Sequence, residues 1–288
     1  CGIEDSNYPR LLKHCEDAPL VLFYKGTLED SDTKNIAIVG TRKATEVGKK
    51  RVDTLLQELA QMGYRPNIIS GLAYGIDIAA HTACVHYGLK AQAVLGHGLH
   101  MIYPASHKNM AEKILDQGGT LISEFPTCAQ VLPTNFLQRN RIVAGMSEAI
   151  LVAESPIKGG AMSTARQALS YSREVMAIPG RPEDTTFAGC NLLIKQNIAT
   201  LVENVKDLLR ILNWSPLPTG PYQMSLDLFP ESDDETRLIE TLTKAGEQNI
   251  DQLHQLTRIP VHDLSVLLLK LELEGHVMQL PGNCYTLI

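Results

Sequence analysis

Several glycine-punctuated stretches of this chain gather the residue types that hold phosphate. The first is Gly40-Thr41-Arg42-Lys43, with Lys49, Lys50 and Arg51 along the segment that follows. A guanidinium fork and the backbone N–H groups of a helix start both match phosphate oxygens. The competing reading is a tight turn leading into a solvated basic helix face. The second, Ser70-Gly71-Leu72-Ala73-Tyr74-Gly75-Ile76-Asp77, sets two glycines four apart, where the backbone can approach a ligand and aim N–H groups at it. Asp77 and His81 then stand at i and i+4, on one helix face. A metal would need a third donor, and the sequence supplies none at suitable spacing. Asp77 therefore reads as a cap or loop-holding acceptor, and His81 as its partner or as a side chain turned to the sheet.

Further on, Ser123-Glu124-Phe125-Pro126 leads to the run Asn135-Phe136-Leu137-Gln138-Arg139-Asn140-Arg141-Ile142-Val143-Ala144-Gly145. Two arginines flanking the amide Asn140 on one turn, beside the ring of Phe136, suit a nucleic-acid backbone with a base stacked nearby. In the competing reading one arginine pairs with Glu124 or Glu154 across the sheet end, and both are expected to hold in part. Lys158-Gly159-Gly160-Ala161, then Ser163-Thr164-Ala165-Arg166, is again a glycine turn at a helix start.

The standard nucleotide fingerprints are missing. Gly40 and Gly48 are separated by seven residues and followed by Lys49-Lys50, which fails the spacing and the Ser/Thr of a P-loop and disfavours ATP hydrolysis. Gly96-His97-Gly98 lacks both a third glycine and the acidic residue about 20 positions on that would hold a dinucleotide ribose. Nothing places a base beside a particular Ser or Cys nucleophile. The six cysteines are scattered without a C-x-x-C pair and read as reduced thiols of a cytoplasmic protein. The longest apolar runs, such as Ala149 to Ala153, fall far short of the ~20 residues that span a membrane.

The elements that must position these loops are legible as alternation. Short β-branched runs at Ile36–Val39, Ile68–Ser70, Ala93–Leu95, Thr120–Ser123, Ala149–Val152, Val175–Ile178 and Thr200–Val202 are separated by helix-like stretches. That order predicts an α/β fold: an extended Rossmann-like, mostly parallel sheet with helices on both faces. Thr45–Met62 carries Val47, Val52, Leu55, Leu56 and Leu59 on one helical stripe and stops at Gly63. Helices are also expected over Gly75–Tyr87 and Ala161–Ser172. In such a sheet ligands lie beyond the carboxyl ends of the strands, where the phosphate-matching loops fall.

Four parts are expected: a lead-in over 1–34 packed on the core, the Rossmann-like domain over 35–212, a Pro-rich and acidic linker over 213–234, and a small C-terminal winged-helix domain over 235–288. The last is read from helices at Glu235–Ala245, Ile250–Thr257 and Val261–Glu274, with strands His276–Leu280 and Cys284–Ile288 around the turn Pro281-Gly282-Asn283. The net charge of −6 hides a division between the ends of the chain. Residues 1–210 hold 22 Lys+Arg against 21 Asp+Glu, whereas 211–288 hold 4 against 11. A polyanion therefore suits the larger part and not the smaller. The third helix of the winged helix offers only Lys270 beside Asp263, Glu272 and Glu274, which favours a protein contact or a packing role over reading duplex DNA.

The ordered motifs resemble the DNA-processing protein A family, also called DprA or Smf. Matching stretches are Tyr8-Pro9-Arg10-Leu11-Leu12, Val39-Gly40-Thr41-Arg42, Ser70 to Asp77 with His81, Gly96-His97-Gly98-Leu99 to Tyr103-Pro104, Ser123-Glu124-Phe125-Pro126, Arg139 to Gly145, and Ile178-Pro179-Gly180. The resemblance implies a Rossmann-like domain that binds single-stranded DNA without a cofactor, self-associates as a homodimer, and places the RecA recombinase on the strand during DNA uptake and natural transformation. It implies DNA contact near Arg42, the Ser70–Gly75 loop and the Arg139–Arg141 turn. Where the family usually shows Ser-Gly-Ser, this chain has Gly159-Gly160-Ala161, so backbone N–H groups must replace hydroxyls there.

The full set of expected DNA contacts is Gly40, Arg42, Lys43, Ser70, Gly71, Gly75, Asn135, Phe136, Arg139, Asn140, Arg141, Lys158, Gly159 and Gly160, with Asp77 and His81 structural at the site. Arg42, Arg139, Arg141 and Lys158 are the expected phosphate cations. The alternative is an enzyme resembling nucleotide phosphoribohydrolases, with Glu124 or Glu154 as catalytic carboxylate and Arg42 or Arg139 on the phosphate.

Overall fold

Runs of β-branched and small apolar residues build one central sheet in the computed structural model, which describes residues 1–28, 34–214, 233–273, 276–280 and 284–287. The expected linker lies almost wholly outside these residues, as does the turn Pro281-Gly282-Asn283. The chain folds as two compact units, Cys1–Pro216 and Leu217–Ile288.

In the first unit α1 (Arg10–Lys13) and β1 (Phe23–Gly26) precede β2 (Asn35–Gly40), α2 (Glu46–Gln61), β3 (Asn67–Ser70), α3 (Ile76–Tyr87), β4 (Lys90–Leu95), α4 (Lys108–Asp116) and β5 (Thr120–Ser123). Then come α5 (Pro133–Gly145), β6 (Ala149–Glu154), α6 (Gly160–Ser170), β7 (Glu174–Ala177), α7 (Ala188–Lys195), β8 (Thr200–Leu201) and α8 (Val205–Ile211). The sheet runs β1-β5-β4-β3-β2-β6-β7-β8, every pair parallel except β1 with β5. The fold is thus the mostly parallel, Rossmann-like α/β sheet that the alternation predicts. The antiparallel edge strand β1 was not expected: all four of its residues are exposed, so it carries no in-and-out pattern.

Side-chain alternation along the strands sends successive residues to opposite faces. Ile36 and Ile38 join a core that includes Val52 and Leu56 of α2, Ile76 of α3, Ile114 of α4 and Leu208 of α8. Ala37 and Val39 join the other, with Leu12 of α1, Ile142 of α5, Ala165 of α6 and Leu193 of α7. The apolar stripe of α2 is buried at Val52, Leu55, Leu56 and Leu59, but Val47 is left 56% exposed, because five residues before Val52 and nine before Leu56 it falls on another face of the helix.

The second unit comprises α9 (Asp233–Ala245), β9 (Gln248–Asn249), α10 (Ile250–Thr257), α11 (Val261–Leu273), β10 (Val277–Leu280) and β11 (Cys284–Leu287). Leu238, Leu242, Leu253, Leu264, Leu268 and Val277 form its core. Asn249 and Gln252 close a reciprocal capping box that starts α10. Among the described residues no helix is long and apolar enough to cross a membrane.

Candidate nucleic-acid interface

The strand order reverses between β2 and β6, because the chain leaves β2 toward β3 on one side and returns through β6 to β7 on the other. Loops at the carboxyl ends of two such strands part in opposite directions and leave a crevice. A trough of about 320 Å³ lies there. Gly40, Arg42, Gly71, Asp77, Phe136, Arg139, Asn140, Lys158, Gly159 and Gly160 all line it.

Glu154, at the end of β6, holds one wall. Its fully buried carboxylate accepts from Thr45 N–H at 3.0 Å and Thr45 Oγ1 at 3.1 Å, while Thr45 caps α2 by accepting from Gly48 N–H. A Cβ at Gly48 would strike that carboxylate. The enzyme alternative assigned Glu154 a catalytic part; the structure ties it instead to the helix start. Glu124, the other candidate, accepts from Arg141 and Gln138, and burial pushes its carboxyl up against the opposing pull of Arg141.

The floor is a second buried polar assembly. Arg139 is 3% exposed and donates to the carbonyl of Val94, and a Cβ at Gly71 would collide with its guanidinium. Asp77 accepts from Gly71 N–H at 3.2 Å and Ala73 N–H at 3.4 Å, so it holds the glycine loop over the arginine. Burial raises the Asp77 carboxyl, with Arg139 and the two amides pulling the other way. His81 is fully buried and, among the described residues, hydrogen-bonds to nothing, Asp77 included. Desolvation, with the charge of Arg139 nearby, lowers its pKa to about 3, so the ring is neutral.

The rim differs. Arg42 is exposed, with its guanidinium 5.4 Å from the centroid of Phe136, and Lys158 is exposed in the loop after β6. Among the described residues neither forms an ion pair. Two residues after Lys158, α6 begins at Gly160 with no side chain capping it, and the space where a Gly160 Cβ would stand is open. Uncapped N–H groups carry about half a positive charge at a helix start. Among the described residues Asp77 is the sole carboxylate lining the trough, and it is engaged.

Several expected contacts fall elsewhere. Arg141 pairs with Glu124 and donates to Asp17 O at 2.5 Å, so it does not line the trough. Residues two apart on a helix lie on different faces, and Arg139 and Arg141 both belong to α5. Ser70 is buried and donates to Ile38 O, and Asn135 donates to Gln130 O. Gly75 packs against the backbone of Thr41 and Arg42 at φ +80°, where a side chain would both clash and strain the chain. Lys43 is exposed but outside the lining. Thr41, Ala73, Pro133 and Leu137 line the trough without having been expected. Among the described residues no group of His, Cys, Asp or Glu could hold a metal ion.

In the second unit the lone lysine of α11, Lys270, is paired at 2.8 Å with Glu235 and largely covered. Val266 and Leu269 of the same helix are more than half exposed.

Comparison with known proteins places this geometry in a wider set. Residues 1–213 match the family model of DNA recombination-mediator protein A, and residues 224–283 match that of the DprA winged helix domain. Protein Smf of Escherichia coli is 36% identical over 280 residues, covering 96% of this chain and 74% of that one. The DNA processing protein DprA of Streptococcus pneumoniae is 38% identical over 208 residues, 72% of each chain. Its X-ray structure superposes with a TM-score of 0.68 at 37% identity, over 73% of this chain and 72% of that one. DNA processing protein A from Helicobacter pylori, solved for its single-stranded DNA binding mode, gives 0.65 at 29% identity, over 73% and 94%.

Proposed function

The chain belongs to the DNA recombination-mediator protein A family, and from that premise we propose that it binds single-stranded DNA in the trough between β2 and β6. One observation carries the reading. Two exposed cations without anionic partners among the described residues, Arg42 and Lys158, line one trough with an uncapped helix start and the partly buried ring of Phe136. Phosphates fit the cations and the N–H groups of α6, and a base fits beside the Phe136 ring that Arg42 covers. Neither interaction reads base identity, so binding is independent of sequence. The Helicobacter pylori relative, known for single-stranded DNA binding, supports the assignment.

The geometry also revises the expected electrostatics. With Arg139 and Arg141 held internally, two phosphates rather than four are neutralised per site. Log K should fall against log salt with a slope of about −1.4, using ~−0.7 per single-strand contact. An anisotropy titration of single-stranded and duplex DNA across salt tests this. Strand preference with that slope supports the reading; salt-independent binding, or equal affinity for duplex, defeats it.

A recombination mediator hands its strand to a recombinase, so we assign RecA as the protein partner in DNA uptake and transformation, with a homodimer as the working form in the cytoplasm. The second unit is assigned a protein contact rather than duplex reading, because Lys270 is held by Glu235 and the same helix exposes Val266 and Leu269 with the acidic Asp263 and Glu272. Co-sedimentation of the recombinase with the DNA-bound protein, and sedimentation of the free protein, check these assignments.

A further inference from the structure

The motif from Gly96 to Pro104 contributes no cation to the trough, yet it presents an exposed ring next to it. Tyr103 is 50% exposed, and its ring centroid lies 5.7 Å from that of Phe136, with planes tilted by 47°. Phe136 in turn lies on the backbone of Gly96, where a Cβ would meet it, and beneath Arg42. The Tyr103 loop is anchored from below. Its N–H donates to Nε2 of the buried His97, whose Nδ1–H must then donate to Gly98 O at 3.0 Å. Ser123 Oγ fixes the His97 carbonyl at 2.7 Å.

The glycine loop presents a second ring. Tyr74 follows Ala73 of the trough lining and is also 50% exposed. It stands edge-on to His107 at 4.9 Å, with its hydroxyl 3.3 Å from Ser106 Oγ. His107 is itself held to Leu72 O at 2.9 Å. Both rings thus sit on backbone pinned by buried histidines, with at least one side left to solvent. A large ring held in place and left uncovered has its ordering cost met before a ligand arrives, which is what a stacking surface needs.

We propose that Tyr103 and Tyr74 form an aromatic ledge that stacks unpaired bases of the strand whose phosphates occupy the trough. The ledge rests on the reading of the trough as a single-strand site and extends it. The ligand chemistry is the π-face of any base, so the ledge adds affinity and no sequence preference. It also lengthens the site beyond the phosphates held by Arg42 and Lys158.

A cycle of proteins against ligands tests the ledge. Wild type, Tyr103→Ala, Tyr74→Ala, Tyr103→Phe and Arg42→Ala are titrated with oligothymidylate and with an abasic oligomer of equal length, which keeps the phosphates and lacks the bases. Each tyrosine-to-alanine change should weaken oligothymidylate binding about tenfold, the scale of one stacked base, and leave abasic binding within about twofold. Tyr103→Phe should bind as wild type, and Arg42→Ala should weaken both ligands alike. Equal losses on both ligands, or no loss on oligothymidylate while Arg42→Ala is impaired, overturn the ledge and leave the trough standing. Arg42→Ala binding as wild type overturns the trough itself. The wild-type protein gives a check free of folding effects: equal affinity for the two oligomers overturns stacking outright.

Discussion

Each unit carries a helix at a surface where nucleic acid could be gripped, and the two differ in what becomes of the nearby cations. At α6, Arg42 and Lys158 are exposed and lack carboxylate partners among the described residues, and the helix start is uncapped. At α11 the lone lysine is locked to Glu235, and Val266 and Leu269 are exposed in its place. Counting basic residues does not find a phosphate site. A cation already paired with a carboxylate must lose that partner before it can take a phosphate, so availability matters more than number. The same lesson separates rim from floor within the trough, where Arg139 is buried and Arg42 is free.

The largest effect should come from Arg139. Replacing it with Ala leaves Asp77 buried without the opposite charge that offsets its burial, and removes the guanidinium packed against Gly71. Breaking such a buried arrangement costs about 3–5 kcal/mol. Urea denaturation should show a loss on that scale, whereas Arg42→Ala should stay within about 0.5 kcal/mol of wild type, as exposed substitutions do. Equal stabilities for the two variants would erase the distinction between floor and rim.

The neutral His81 predicts the next effect. Its folded pKa of about 3 lies below the ordinary 6.5, so the unfolded chain takes up a proton that the folded one refuses. The stabilisation is present above pH 6.5 and is lost as pH falls toward 3, at about 1.4 kcal/mol per pH unit. Between pH 6.5 and 5 wild type should lose roughly 2 kcal/mol through this group, and His81→Leu should show a correspondingly flatter profile. Parallel profiles would mean that His81 is not the buried neutral ring described.

Binding effects are smaller. Arg42→Ala and Lys158→Ala should each weaken single-stranded DNA about tenfold at low salt and reduce the salt slope by about 0.7. Lys270→Ala, the corresponding change in the second unit, should alter neither affinity nor slope. A change in slope from Lys270→Ala would break the comparison, because it would place that lysine on a phosphate.

Much of the fold was legible because periodicity is a direct imprint of burial. The runs from Ile36 and Ala149 mark β2 and β6, and the stripe from Val52 to Leu59 marks α2. The edge strand β1 was not legible, since a strand exposed at every position has no hydrophobic rhythm. At the site, the glycine turns and Arg42 could be found from composition alone. Arg139 and Arg141, both expected as phosphate cations, part ways for a reason the sequence already held. Pro133 opens a helix that runs through both, and a helix sends residues two apart in different directions.

Local residue pattern by itself determined the alternation of strands and helices from β2 onward, the glycine turns at strand ends and the acidity of the last quarter, because each depends on near neighbours in the chain. Tertiary structure alone decided which charges remain available. Glu154 meets Thr45 across 109 residues and Arg139 meets Val94 across 45. Whether a guanidinium faces water or a buried carbonyl depends on packing between distant segments, which no spacing along the chain encodes.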